Sequence, residues 1–152
     1  MTLTELLPAR AILADLQGHS REELFAELCG PVSRETGIPV AELADALAER
    51  EQLASTALGS GIAVPHGVHA GLDRVVACFA RARAGIEFGA PDGEPVQFFV
   101  ALLRPPDAAA SHLKALARVS QLLSNVAVRE QLLSAPDAEA IHRIVREREV
   151  SR

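Results

Sequence analysis

Aromatic residues are scarce in this chain: phenylalanine occurs five times, tryptophan and tyrosine not at all. Stacking platforms for bases or sugar rings are correspondingly few. Lysine is nearly absent too, Lys114 being the single one among fifteen basic residues, and the formal net charge is −5. With an acidic balance and no basic cluster, nucleic acid is not expected as a partner. The two cysteines, Cys29 and Cys78, lie far apart in apolar segments, which reads as buried reduced thiols rather than a disulfide or metal pair. No window approaches the ~18 consecutive apolar residues that a bilayer-spanning helix needs, and MTLTELLPAR lacks the basic start and apolar core of a signal peptide. A cytoplasmic protein without membrane insertion is expected. Neither a G-x-S-x-G elbow nor a Walker loop occurs, so a serine hydrolase or a nucleotide-binding enzyme has no support.

What is present is globular: 152 residues, 49% apolar and 23% charged, the length of one domain with a sizeable core. Ala11-Ile12-Leu13 reads as a short first strand. Ser20 followed by Glu23 is a capping box for a helix with Phe25, Leu28, Cys29 and Val32 inward, and Pro31 should kink or divide it. Gly37 ends that segment. Pro39 opens a second helix, Val40 to Glu51, on which Val40, Leu43 and Leu47 share a face that also receives Arg50. Arg74 to Arg81 reads as a strand with a charge at each end. Ala82 to Glu94 reads as a loop from which Ile86 and Phe88 dip inward. VQFFVALL, Val96 to Leu103, is apolar almost throughout, as in a central strand covered on both faces. A helix to about Ser124 follows, with Leu113, Leu116, Val119 and Leu123 as its stripe. Asn125 and Asp137 then cap two shorter helices. Strands set among helices define the fold class as α/β: a single layered domain, residues 1-152, with a central mixed β-sheet flanked by helices on both faces.

The stretch from Arg50 to Gly67, REQLASTALGSGIAVPHG, reads as the one the rest of the chain is arranged to hold. Ile62-Ala63-Val64, bounded by glycine and proline, reads as a buried strand with His66 at its end, where Pro65 and Gly67 keep the chain from covering the imidazole. Neutral imidazole is a good nucleophile toward phosphorus, and a phosphoryl carrier needs little beyond that nucleophile and positive charge or donors around the phosphoryl oxygens. Arg50 can supply charge if it points at an anion near His66; alternatively its stem packs on the core while the guanidinium reaches solvent. Ser55, Thr56, Ser60 and the amides of the Gly59 to Gly61 turn are candidate ligands of phosphoryl oxygens. His112, near a helix N-terminus, should stay neutral and can donate one hydrogen bond to such an oxygen. His69 with His66, His112 and a cysteine would offer zinc ligands, but no paired cysteines and no HExxH helix accompany them, so no metal is expected. His19 and His142 read as surface residues.

The string RE-x-L-x-S-T-A-L-G-S-G-I-A-V-P-H-G resembles the signature of the enzyme IIA domains of the mannitol/fructose class in the bacterial phosphotransferase system, and SHLKALARVSQLL is similar to that family's second active-site segment. The resemblance runs from the helix after Ser20 to the end. It implies phosphorylation of His66, with His112 as neighbouring stabiliser and Arg50 as charge partner. Within the class the chain looks most like the nitrogen-regulatory enzyme IIA. That implies a phosphoryl carrier in nitrogen-related signal transduction, fed by a small histidine phosphocarrier protein of the HPr kind and controlling regulatory target proteins by its phosphorylation state, without a cofactor. A sugar-specific component that passes phosphoryl to a transporter domain, and a binding module without phosphotransfer, are the alternatives. Glu87-Phe88-Gly89-Ala90 departs from the family pattern, in which an aspartate often follows the aromatic residue.

Overall fold

The computed structural model describes residues 1–149. In chain order it contains α1 (Leu3–Leu6), a 3-10 turn (Ala9–Ala11), β1 (Ile12–Leu13), α2 (Arg21–Thr36), α3 (Val40–Leu53), β2 (Ala57–Gly59), β3 (Ile62–Ala63) and β4 (His66–Val68). There follow β5 (Val76–Ile86), β6 (Val96–Arg104), α4 (Ala109–Leu123), α5 (Val126–Ser134) and α6 (Ala138–Arg148). One mixed sheet runs β1-β5-β6-β3-β2. β5 and β6 are antiparallel, whereas β3 and β4 both lie parallel to β6, β3 opposite Phe98 and Phe99 and β4 opposite Leu102 to Arg104.

Alternation along β6 explains the layering. Phe98, Val100 and Leu102 enter one apolar core with residues of α1, α4, α5 and α6, while Phe99, Ala101 and Leu103 enter a second core with residues of α2 and α3. A strand that alternates between two cores must be apolar on both faces, and this one is. The sheet with helices on both sides is the architecture expected from the sequence.

Local signals set the helix ends. The Ser20 hydroxyl accepts from the Glu23 amide, and the Glu23 carboxylate accepts from the Ser20 amide. Gly37 leaves the helix at φ 78°, a left-handed conformation in which an L side chain is strained. Asn125 and Asp137 cap α5 and α6 as expected, each accepting from an amide three residues on. Pro31 does not divide α2, which is continuous through it. Its ring is buried beside Leu28, Cys29 and Val32, and that burial offsets the one amide bond a proline removes.

Three further expectations are corrected. β5 does not stop at Arg81: after a bulge it pairs again at Ile86 opposite Val96, so the first part of the expected loop is strand. The charge expected at the strand's end lies fully inside the protein. Arg81 Nε donates to the Ala14 carbonyl at 2.9 Å, and Nη1 donates to the carbonyls of Leu132 at 2.7 Å and Ala135 at 2.6 Å. On α4 the inward stripe is His112, Ala115, Val119, Leu122 and Leu123, and Leu113 is 64% exposed. Val119 and Leu123 face inward as expected, whereas in the first turns the buried positions are His112 and Ala115 rather than Leu113 and Leu116, the latter packing only partly buried against the core.

Candidate functional site

His66 does not close the apolar strand; it opens the next one. Pro65 has no amide to pair, but its carbonyl accepts from the Leu102 amide at 2.9 Å, and the chain re-enters the sheet with His66 opposite Leu102. One residue on, Gly67 lies so close to α3 that an added Cβ would sit 2.8 Å from the carbonyl carbon and oxygen of Ala46. That contact presses α3 against β4. The His66 ring is half-buried, and its Nδ1 lies 2.9 Å from the Val64 carbonyl oxygen. A carbonyl only accepts, so Nδ1 carries the proton and the Nε2 lone pair is free.

His112 stands in the first turn of α4, its ring centroid 5.0 Å from that of His66 with the planes at 49°. It is 8% exposed, and its Nδ1 is buried without a hydrogen-bond partner among the described residues. Burial, then the neighbouring His66, then the positive charge of Arg104 push its pKa down from 6.5 to about 4. The ring is neutral at physiological pH. The α4 N-terminus carries no side-chain cap. A tautomer with the proton on Nε2 leaves only an acceptor unpaired in the interior, which is better tolerated than a buried donor.

The two imidazoles lie in an open groove of about 570 Å³ between α3 and α4, lined also by Glu49, Arg50, Leu53, Val68, Arg104, Leu113 and Leu116. Arg50, in the last turn of α3, is tethered through Nη1 to the Ala54 carbonyl at 3.0 Å. Arg104, at the end of β6, is tethered through Nη1 to the carbonyls of Pro105 at 3.1 Å and Pro106 at 3.0 Å. Glu49 is the single carboxylate in this lining. Leu53, Val68 and Leu113 are 81%, 44% and 64% exposed, so the groove has an apolar rim.

His66, His112 and Arg50 are thus brought together, whereas Ser55, Thr56 and Ser60 do not line the groove. The Ser55 hydroxyl accepts from the Ala57 amide. Thr56 is buried, its hydroxyl donating to Glu51 Oε1 at 2.5 Å and its amide to Oε2 at 3.0 Å, so its donors are committed within the loop. Ser60 forms the tip of the β2–β3 hairpin at φ 57°, and its amide donates to Asp92. The adjoining Gly61 carbonyl pairs with Gln97 and Phe98, at the other end of β6 from Leu102, about 15 Å along the strand. The glycines serve a hairpin turn. Sequence reasoning also missed Glu51, buried within α3, and Arg104, whose only signal was an arginine placed directly after the most apolar strand.

His69 is spoken for: its Nε2 lies 2.8 Å from Glu42 and its Nδ1 accepts from the Gly71 amide. Among the described residues no cluster of three or more His, Cys, Asp or Glu is arranged to hold a metal ion. Cys29 and Cys78 are free and buried, and burial raises both thiols, Cys29 to about 12. His19 is exposed, but His142 is half-buried with Nδ1 2.9 Å from the Leu7 carbonyl, where it ties α6 to the N-terminal segment. No helix among the described residues is long and apolar enough to cross a membrane.

A small layered α/β domain with paired histidines and an arginine in one groove defines a class, and residues 5–148 match its family model, "Phosphoenolpyruvate-dependent sugar phosphotransferase system, EIIA 2". The chain belongs to this family of phosphotransferase-system enzyme IIA proteins. Its relatives within the family include nitrogen regulatory proteins and also a fructose-specific EIIA component from Haloferax volcanii, 35% identical over 103 residues, 68% of this chain and 67% of the relative. A nitrogen regulatory protein from Bradyrhizobium diazoefficiens is 37% identical over 145 residues, 95% of each chain. Another from Pseudomonas aeruginosa is 34% identical over 141 residues, 92% of this chain and 91% of the relative. The crystal structure of nitrogen regulatory protein IIA-Ntr from Neisseria meningitidis has a TM-score of 0.87 at 36% identity, covering 94% of this chain and 98% of that one.

Proposed function

We propose that the Nε2 atom of His66 accepts a phosphoryl group from a small histidine phosphocarrier protein, and that the phosphorylation state of His66 controls regulatory partners in a nitrogen-related phosphotransferase system of the cytoplasm. The observation that carries this reading is a half-buried imidazole whose Nδ1 is held by the Val64 carbonyl while Nε2 is left free beside the ring of His112. In the transfer, the Nε2 lone pair forms the new N–P bond as the donor's N–P bond breaks, and the electron pair of the broken bond returns to the donor ring. That ring leaves neutral because it retains its other N–H. His66 becomes cationic, with its Nδ1–H on the Val64 carbonyl, so no proton has to change hands.

Arg50 offsets the phosphoryl charge from the α3 side, and His112, neutral by virtue of its low pKa, donates Nε2–H to an oxygen between the rings. The apolar rim of Leu53, Val68 and Leu113 gives a partner a surface to dock on. A dianion placed inside that rim changes which partners are accepted, by attracting basic surfaces and repelling acidic ones.

The test is incubation with phosphoenolpyruvate and the general phosphotransferase proteins, followed by mass spectrometry. An acid-labile, base-stable adduct on His66 that is lost in His66→Ala is the expected result. A loaded donor that leaves the protein unmodified would reduce it to a binding module.

A further inference from the structure

Arg50 has a counterpart. Along β4 and β6, His66 pairs with Leu102 and Val68 with Arg104, so Arg104 leaves β6 on the same face as Leu102, the face that α4 covers. It lines the groove that holds His66 and His112. Its Nη1 is anchored on the Pro105 and Pro106 carbonyls, as that of Arg50 is anchored on Ala54, and among the described residues no hydrogen bond engages its Nε or Nη2. Two guanidinium groups therefore enter one groove from different walls, each held at one nitrogen and open at the others. Glu49 does not neutralise either: neither arginine is within ion-pair distance of a carboxylate among the described residues.

Two half-buried cations sharing a groove, neither within ion-pair distance of a carboxylate among the described residues, repel each other, a cost that a dianion placed there would turn into attraction. Arginine suits such a place because its planar fork can hold carbonyl oxygens on one edge and phosphoryl oxygens on another. We propose that Arg104 is a second guanidinium ligand of the phosphoryl group carried by His66, acting with Arg50 as a two-sided clamp. This rests on His66 being the acceptor.

Loading with phosphoramidate, a small phosphoryl donor that needs no protein docking, separates the clamp from partner binding. Arg104→Gln retains an amide able to hold the loop carbonyls but loses the charge, and Arg104→Lys keeps the charge without the fork. The second ionisation of the phosphoryl group is followed by phosphorus NMR. The charged or titratable groups facing it are Glu49 and Arg50 from α3, His66 from β4, His112 from α4, and Arg104 itself.

The loading rate constant is expected to fall roughly 10- to 100-fold in Arg104→Gln, the size of one charge-assisted hydrogen bond, with Arg104→Lys in between. The phosphoryl pKa is expected to rise in Arg104→Gln relative to wild type, an effect that a merely structural role would not produce. Equal rates and equal ionisation in Arg104→Gln overturn the clamp while leaving His66 as acceptor. A slower rate with unchanged ionisation also overturns it, because Arg104 would then only hold the loop. Failure of wild type to form any adduct on His66 removes both readings together.

Discussion

Gly67 offers a perturbation whose magnitude can be worked out in advance. It is not among the residues with positive φ, so alanine suffers no backbone strain there, and any effect must come from the added methyl. That Cβ would lie 2.8 Å from the carbonyl carbon and oxygen of Ala46 and 3.0 Å from its Cβ, where ordinary contact begins at 3.4 Å. Two of the three atoms are helix backbone, which cannot rotate away. α3 must therefore retreat by about 0.6 Å, and overpacking of this kind costs about 1–3 kcal/mol. For a domain of this size that lowers Tm by about 3–10 °C. Arg50 lies one turn beyond Ala46 and moves with the helix, so phosphoryl loading should slow roughly tenfold as well. Ala46→Gly in the same chain removes only the Cβ contact and should restore little. Gly30→Ala is the control: inside α2, with its nearest neighbour the flexible end of Arg34 at 3.7 Å, it should be neutral or stabilising by up to about 1 kcal/mol. Thermal melts and loading time courses on the four proteins decide the matter. A Gly67→Ala protein that melts and loads like wild type would refute the close approach of β4 and α3.

Acid should weaken the fold partly through His112. Its folded pKa of about 4 lies below the ordinary 6.5, so the unfolded chain takes up the proton first; stability is full above about pH 6.5 and is lost as pH falls from there toward 4. The loss is about 2–3 kcal/mol and should be smaller in His112→Gln, as read from urea unfolding at pH 7.5 and 4.5; parallel pH dependence in the two proteins would contradict it. Arg81→Met should cost at least about 2 kcal/mol in the same assay, since it strands the carbonyls of Ala14 and Leu132 and leaves that of Ala135 to Arg83 alone, and Arg81→Lys should not rescue a clamp that needs several nitrogens at once. A loss under about 1 kcal/mol would mean that water takes over these carbonyls.

Features written in local chemistry were legible in the sequence. The Ser20–Glu23 box, the caps at Asn125 and Asp137, the left-handed Gly37 and the two-faced β6 all follow from rules that act over a few residues, and each is present. His66, His112 and Arg50 could be singled out because each departs from its surroundings: imidazole on a Pro-Gly step or at a helix start, and a charge on an apolar stripe. What could not be read depends on long-range partners. Thr56 looks like a phosphate ligand until Glu51 is seen to occupy both its donors. Ser60 is only six residues from His66 in sequence, yet the chain reverses at Gly59–Gly61 and runs the length of β3 before it arrives. Arg81 reads as a strand terminus because nothing nearby in sequence announces three carbonyls, from Ala14 just past β1, Leu132 in α5 and Ala135 just after it.

The location of the groove follows from the layering. α3 belongs to the core on one face of the sheet and α4 to the core on the other, and the sheet between them normally keeps such layers apart. They can contribute to one site only past a sheet edge, and β4 provides that edge: three residues long, paired with β6 on one side, with α3 drawn against it at Gly67. An imidazole on a central strand would be flanked by one layer alone and buried by it. On this short edge strand His66 can receive Arg50 from one layer and His112 from the other while its free nitrogen stays within reach of a partner. The chain needs Pro65 to break the sheet just before the histidine and Gly67 to let the helix approach just after it, so the three-residue step Pro-His-Gly is a description of the edge as much as of the site.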